Sequence, residues 1–244
     1  DIHSIRVSTR PDCINYSNLE ILNKYGVKTI ELGVQSMNDS ILQKAQRGHT
    51  SQNVIDAVDM IKSKSFRLGL QMMIGLPDDN IDNVIHTADE IIRLQADETR
   101  IYPLLVIKDT LLHKMYLEKK YIPLALNEAV WQVASIARKF EQANTNILRI
   151  GLHPSKDFFD GETLVAGPWH PAFKQLVYSQ IWKEELCQYF HDKHKSNILI
   201  EVGSLQLPNA IGYKRSNVLQ ASNKNIRFTI NKDLKGLNYV CHYC

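Results

Sequence analysis

Cysteine is scarce in this chain: Cys13, Cys187, Cys241 and Cys244 are the whole complement in 244 residues. Only the last two stand close together, so the spacing offers no disulfide framework, and reduced thiols in a cytoplasmic protein are expected. No run of 18 apolar residues occurs, which excludes a helical membrane span. The opening Asp1-Ile2-His3-Ser4 has neither a basic nor an apolar region, so it is no signal peptide. It also lacks an initial methionine and enters a strand-like run, 5–8, almost at once. The natural beginning of the protein is therefore expected upstream. A strong excess of one charge is missing too: 29 basic against 26 acidic residues give a net charge of +3. That balance is too mild to demand a nucleic-acid partner by itself.

What is present is rhythm. Residues 29–34 and 68–74 are short apolar runs bounded like buried strands, and between them Val54, Ile55, Val58 and Ile61 recur at helical spacing. Strand, helix, strand is the βαβ unit of a parallel sheet, which places reactive groups at the C-terminal ends of its strands. The run 5–8 reads as an earlier strand leading into a Thr9-Arg10-Pro11-Asp12 turn. Ser17 and Glu20 suggest a capping box for the next helix. Residues 99–106 read as a further strand, with Pro103 near its end. Helices are expected over 111–119 and 127–142, the second with Val130, Trp131, Ala134 and Ala137 inward. The fold class expected is α/β, a partial parallel barrel over 1–152. The Gly- and Pro-rich stretch from His153 to Pro168 marks a boundary, and 153–244 should form a small α+β module.

Four segments in register carry a resemblance. They are Glu31-Leu32-Gly33-Val34-Gln35-Ser36, Arg47-Gly48-His49-Thr50, Met72 to Pro77 through Gly75, and Ile101-Tyr102-Pro103 to Thr110. Together with Thr9–Asp12 they resemble radical S-adenosylmethionine (SAM) enzymes. The branch is that of the Elongator catalytic subunit and the oxygen-independent coproporphyrinogen oxidases. The resemblance implies a partial (β/α)6 barrel of which strands three to six are present here. It implies a [4Fe–4S] cluster on a C-x3-C-x2-C triad and SAM cleaved to a 5′-deoxyadenosyl radical. An electron donor such as flavodoxin or ferredoxin, and an unidentified substrate with RNA or tRNA as the candidate, complete what it implies. Thiolates suit the soft iron of such a cluster.

The triad is absent from this sequence, and so is the Gly-Gly-Glu-type segment of the second strand. The expectation is that cluster ligands lie outside the chain and that the chain alone is inactive; no metal ligand is assigned within it. By resemblance, Gln35 matches a glutamine near the SAM ribose and Arg47 an arginine that pairs with the SAM carboxylate, for which a guanidinium fork is suited. Ser8 stands where relatives often carry an acid, and Gln71 where coproporphyrinogen oxidases carry aspartate; both can still hydrogen-bond SAM. Arg10 and His49 read as turn residues, and Cys187 as a packed one.

Ile211-Gly212-Tyr213-Lys214-Arg215-Ser216-Asn217-Val218 resembles the K-homology loop that clamps a nucleic-acid backbone, with Arg215 in place of its second glycine. Lys214 and Arg215 add charge there, and Tyr213 offers a stacking surface. An ordinary basic turn is the competing reading. His191 with His194 and Cys241 with Cys244 have zinc-like spacings, but one pair sits at a charged helix end and the other at the terminus. The function expected is that of a radical SAM enzyme in the intact protein. The alternative is an RNA-binding or scaffold fragment without catalysis.

Overall fold

The computed structural model describes residues 4–153, 158, 162–191, 197–220 and 225–243. The chain divides into two compact units, Asp1–Pro171 and Ala172–Cys244.

The first unit is built on one parallel sheet. Its strands are β1 (Ile5–Thr9), β2 (Val27–Gln35), β3 (Arg67–Ile74), β4 (Glu98–Pro103) and β6 (Asn146–Ile150), in the order β1-β2-β3-β4-β6. Between them run α1 (Tyr16–Lys24), α2 (Asp39–Lys44), α3 (Ser51–Lys62), α4 (Ile81–Arg93), α5 (Leu111–Leu117) and α6 (Leu126–Gln142). A two-residue strand, β5 (Val106–Ile107), pairs antiparallel with β7 (Leu164–Ala166).

Side chains alternate across a strand, so each strand has two faces. Ile30, Leu32 and Val34 of β2, Leu68, Leu70, Met72 and Ile74 of β3 and Ile101 of β4 are all essentially buried. Val54, Ala57, Val58 and Ile61 of α3, Val84, Ala88 and Ile91 of α4 and the Val133–Phe140 stripe of α6 are buried with them. Burying each large aliphatic side chain contributes roughly 1.5–3 kcal/mol, which makes this layer the stabilising core.

The opposite face is polar. In register across the strands stand Arg6 and Ser8, then Thr29, Glu31 and Gly33, then Arg67, Gly69 and Gln71, then Glu98 and Arg100, and finally Arg149.

Local signals behave as their chemistry requires. Thr50 closes a capping box with Asn53, and Asn38 caps α2. The cap of α1 is Asn15, which accepts from Asn18 N at 2.9 Å, rather than Ser17, because the helix begins one residue before that serine. Trp131 is exposed rather than inward, since the buried stripe of α6 follows Val130, Val133, Ala134 and Ala137. The fifth strand, β6, was not read from the sequence. It is a five-residue run starting four residues after α6 ends, too short to show an alternation of its own.

The second unit has a three-stranded sheet in the order β10-β8-β9, with β8 (Asn197–Val202) parallel to β9 (Asn225–Ile230) and antiparallel to β10 (Tyr239–Tyr243). Its helices are α7 (Phe173–His191), α8 (Leu207–Ile211) and α9 (Ser216–Gln220). Trp182, Leu186, Ile198, Ile200, Val202, Ala210 and Ile226 form its core. Cys187 is exposed on α7, not packed. Among the described residues no helix is long and apolar enough to cross a membrane.

Candidate functional site

The polar face centres on a buried carboxylate. Glu31, 2% exposed, accepts from Ser8 Oγ at 2.9 Å and pairs with Arg100 Nε at 3.2 Å and Arg6 Nη1 at 3.5 Å. Glu98, equally buried, pairs with Arg6 and, at 3.7 Å, with Arg67. Arg6 thus reaches from β1 across two strands to β4. Gly69 makes this possible: it stands in register between Glu31 and Glu98. A Cβ there would lie 3.3 Å from Glu31 Cβ and Cγ.

Toward the C-terminal ends of the strands the face becomes a polar mouth. β2 and β3 slip register between Gly33 and Gln35, and Gln35 takes a left-handed conformation with φ 66°. That conformation is costly for a side chain other than glycine, by roughly 1–3 kcal/mol, and such outliers gather at functional positions. The twist folds the Gln35 amide back over Gly33, where a Cβ would stand only 2.7 Å from Gln35 Nε2. There Gln35 Oε1 accepts from Gln71 Nε2 at 3.1 Å.

Arg47 lies over the same glycine, its Nη2 3.9 Å from where that Cβ would be. It is half-buried, and its Nε is fully buried with no hydrogen-bond partner. Burial, and then the nearby Arg10 charge, hold its pKa below the ordinary guanidinium value. Arg10 is itself neutralised: it forks onto Asp12 at 2.9 and 2.8 Å and donates to Gly48 O at 3.1 Å, pinning the turn that carries Arg47. His49 closes the turn from the other side, its Nε2 3.1 Å from Val34 O.

Beside Arg47 opens a cleft of about 210 Å³, walled by Met73, Leu76, Leu104 and Met115, with Lys44 at its rim. Lys44 is paired with Asp78, whereas Arg47 has no counter-ion among the described residues, and an apolar slot edged by such a cation suits a ligand that is part apolar and part anionic.

Of the four residues expected at the mouth, Gln35, Gln71 and Arg47 converge around Gly33. Ser8 is one strand over and engaged with Glu31. The sequence did not reveal Glu31, Arg6 and Arg100 as a set, because they come together through strand pairing 25 to 94 positions apart; alternation of charge within β4 (Arg100 between Thr99 and Ile101) was the one available signal.

In the second unit, Gly212 has φ 86°, and a Cβ there would meet Ser216 Oγ at 2.4 Å, so only glycine fits. Lys214 and Arg215 are left-handed, at φ 51° and 64°. The turn is tied down by Tyr213 N donating to Ser179 Oγ at 2.8 Å and by the buried Asn217 donating to Ser179 O and Ala210 O. Helix α9, which follows this turn, has only five residues and adds little dipole field to these charges. Of the zinc-like pairs, His194 and Cys244 lie outside the described residues. Among the described residues no group of three potential metal ligands occurs.

One titration follows from the loop after β3. Burial raises the Asp79 carboxyl to about 6, only partly offset by hydrogen bonds from Asn80, Asn83 and Leu76. Its folded pKa is above the unfolded value, so the native state binds the extra proton and stability falls as pH rises from about 4 to about 6. Above pH 6 the cost is constant, about 1–2 kcal/mol after discounting for partial exposure. Asp79→Asn keeps the acceptor oxygen and removes the charge. Thermal melts should show it more stable than wild type at pH 7.5 and equal to wild type at pH 4; an equal gain at both pH values would contradict the buried charge.

Comparison with known proteins agrees with this architecture. Residues 1–91 match the Radical SAM superfamily, and residues 96–183 match the Radical_SAM C-terminal domain. The chain is 30% identical over 201 residues to the tRNA uridine(34) acetyltransferase of Methanocaldococcus jannaschii, covering 81% of this chain and 36% of that protein. It is 30% identical over 135 residues to Elongator complex protein 3 of Saccharomyces cerevisiae, covering 54% of this chain and 24% of that one. A solved structure, the archaeal Elp3 of Methanocaldococcus infernus with an N-terminal deletion, superposes with a TM-score of 0.68 at 27% identity, over 75% of this chain and 42% of that chain. The chain therefore spans less than half the length of these relatives. With both halves of its first unit matched and the parallel sheet shared, the chain belongs to the radical SAM superfamily.

Proposed function

We propose that this chain supplies the SAM-binding mouth of a radical SAM enzyme that modifies tRNA. The observation that carries the reading is Arg47, a half-buried cation with no anion of its own among the described residues, set between the Gln35–Gln71 amide pair and an apolar cleft. The residues fit SAM by chemistry. Arg47 would take the carboxylate, Gln35 and Gln71 would hydrogen-bond the ribose, and the Met73–Leu104 wall would cover apolar surface. Ser8 would act from behind by holding Glu31. SAM bound at a [4Fe–4S] cluster supplies hydrogen-atom abstraction. This chain's residues orient SAM and exclude water from it.

The C-x3-C-x2-C triad is absent from residues 1–244, so these residues alone are proposed to hold no cluster and to be inactive. A one-electron donor such as flavodoxin or ferredoxin is proposed for the intact enzyme, with a cytoplasmic location. The tRNA substrate rests on the similarity to a tRNA uridine(34) acetyltransferase.

Two measurements test this. Arg47→Ala should weaken binding of S-adenosylhomocysteine by calorimetry about ten- to a hundredfold, the cost of a charge-assisted pair of roughly 1.5–3 kcal/mol. Arg47→Lys should recover only part, because an ammonium cannot make the fork. Unchanged affinity in Arg47→Ala would remove Arg47 from the site. Separately, anaerobic reconstitution of residues 1–244 should yield no stoichiometric iron and sulfide; a full cluster would refute the proposed absence of ligands.

A second reading concerns the second unit alone. The order β8, α8, a turn at 212–215, α9, β9 is that of a K-homology core, with Gly212 at the position such a loop requires. We infer that Gly212, Tyr213, Lys214 and Arg215 contact an RNA backbone. Arg215, left-handed where the motif has glycine, narrows the approach of that backbone. Lys214→Glu with Arg215→Glu should lower binding of single-stranded RNA to the whole chain without lowering its melting temperature. Equal RNA binding by wild type and the double variant would assign the turn a structural role only.

A further inference from the structure

On the polar face the carboxylates are used up before the arginines are. Glu31 takes Ser8, Arg6 and the Nε of Arg100, and Glu98 takes Arg6 and Arg67. Arg149 of β6 is the direct Cα partner of Arg100 of β4. Among the described residues the Arg149 side chain has no hydrogen bond or ion pair, and the Arg100 side chain is engaged only through the ion pair of its Nε with Glu31. Two arginines whose Cα atoms are partners on neighbouring strands bring like charges to one place on the sheet, and Glu31, the carboxylate beside Arg100, lies on the β2 side, away from Arg149. An anion between the two arginines compensates both charges. Planar forks with free terminal nitrogens match a phosphate bidentately.

The pair is distinct from the mouth at Arg47. Gly33, Gln71, Arg100 and Arg149 form one row across β2, β3, β4 and β6. With neighbouring strands about 4.8 Å apart, Arg149 stands about 14 Å from Gly33. SAM has one carboxylate, and Arg47 suffices for it.

We propose that Arg100 and Arg149 form a second anion site that holds a backbone phosphate of the substrate polynucleotide, setting the distance of the strand from the Gln35–Gln71 pair. This rests on the RNA-modifying reading above. It adds the element that places the strand on the sheet.

The test is fluorescence anisotropy of a labelled single-stranded RNA with the full chain and two variants. Arg149→Gln should weaken binding severalfold, and Arg149→Glu at least about tenfold, with a salt dependence shallower by about 0.7 in log–log slope, the value for one lost phosphate contact on a single strand. Arg149→Glu should also melt no lower than wild type, since the new carboxylate pairs with Arg100. Wild-type affinity and slope in both variants would overturn the proposal. So would no RNA binding by the unsubstituted chain at low salt, or a lowered melting temperature of Arg149→Glu. Inorganic phosphate at millimolar concentration tests the other source of the same chemistry. If it stabilises the wild type in an Arg149-dependent way while RNA affinity ignores Arg149, the site holds free phosphate and the polynucleotide assignment is wrong. S-adenosylhomocysteine binding, measured in parallel, separates the two readings. If Arg47→Ala loses that ligand while the Arg149 variants keep RNA, only this inference fails.

Discussion

The ionic network around Glu31 is the constraint on which the polar face depends. A carboxylate that is 2% exposed would be expensive to ionise alone, because burial in a low-dielectric interior costs several kcal/mol per ion. Here a hydroxyl and two guanidinium groups from two other strands converge on it, from Ser8, Arg6 and Arg100. Removing any one leaves a buried charge only partly compensated, which typically costs 3–5 kcal/mol when a partner of a buried pair is lost. Replacing the whole set with apolar residues would be cheaper for stability. The network fixes instead which strands lie side by side, and in which register, on the polar face of the sheet.

That register also shapes the polar mouth at the strand ends. Gly69 admits the span from Arg6 to Glu98, and Gly33 admits the folded-back Gln35 amide and the Arg47 guanidinium. Both glycines are in the strand interior, where glycine weakens a strand and often marks close approach of another group. The strain at Gln35 belongs to the same arrangement. A left-handed residue at the end of β2 turns a side chain that would continue along the strand back over the sheet. The polar mouth is thus organised by the backbone and side chains of the strands themselves.

The helix face was legible in the sequence and the polar face largely was not. Apolar runs at 29–34 and 68–74, and the Val54–Ile61 spacing, are local signals, so strands and helices could be placed from neighbouring residues alone. Asn38 and Thr50 announced their helices for the same reason. Gln35, Arg47 and Gln71 were singled out through motif resemblance, not through physics visible in one stretch. Glu31, Arg6 and Arg100 escaped because their meaning lies in partners on other strands. β6 escaped because five residues following a helix give too little alternation to recognise. Trp131 and Cys187 were misplaced for a related reason: a helical stripe identifies a face, and residues at its margin can fall on either side.

Bulk charge shows how much such non-local order can hide. The chain carries a net charge of only +3, which by itself says little about partners. On the polar face, however, four arginines (Arg6, Arg67, Arg100 and Arg149) stand against two glutamates (Glu31 and Glu98), an excess of two. Arg47 at the mouth makes three, while Arg10 is cancelled by Asp12. The positive excess on this one surface equals that of the entire chain, so the remaining surface is close to neutral in sum. A field concentrated in this way on one face attracts anions to one side of the sheet. The same charges spread evenly would not, and the composition alone cannot tell the two cases apart.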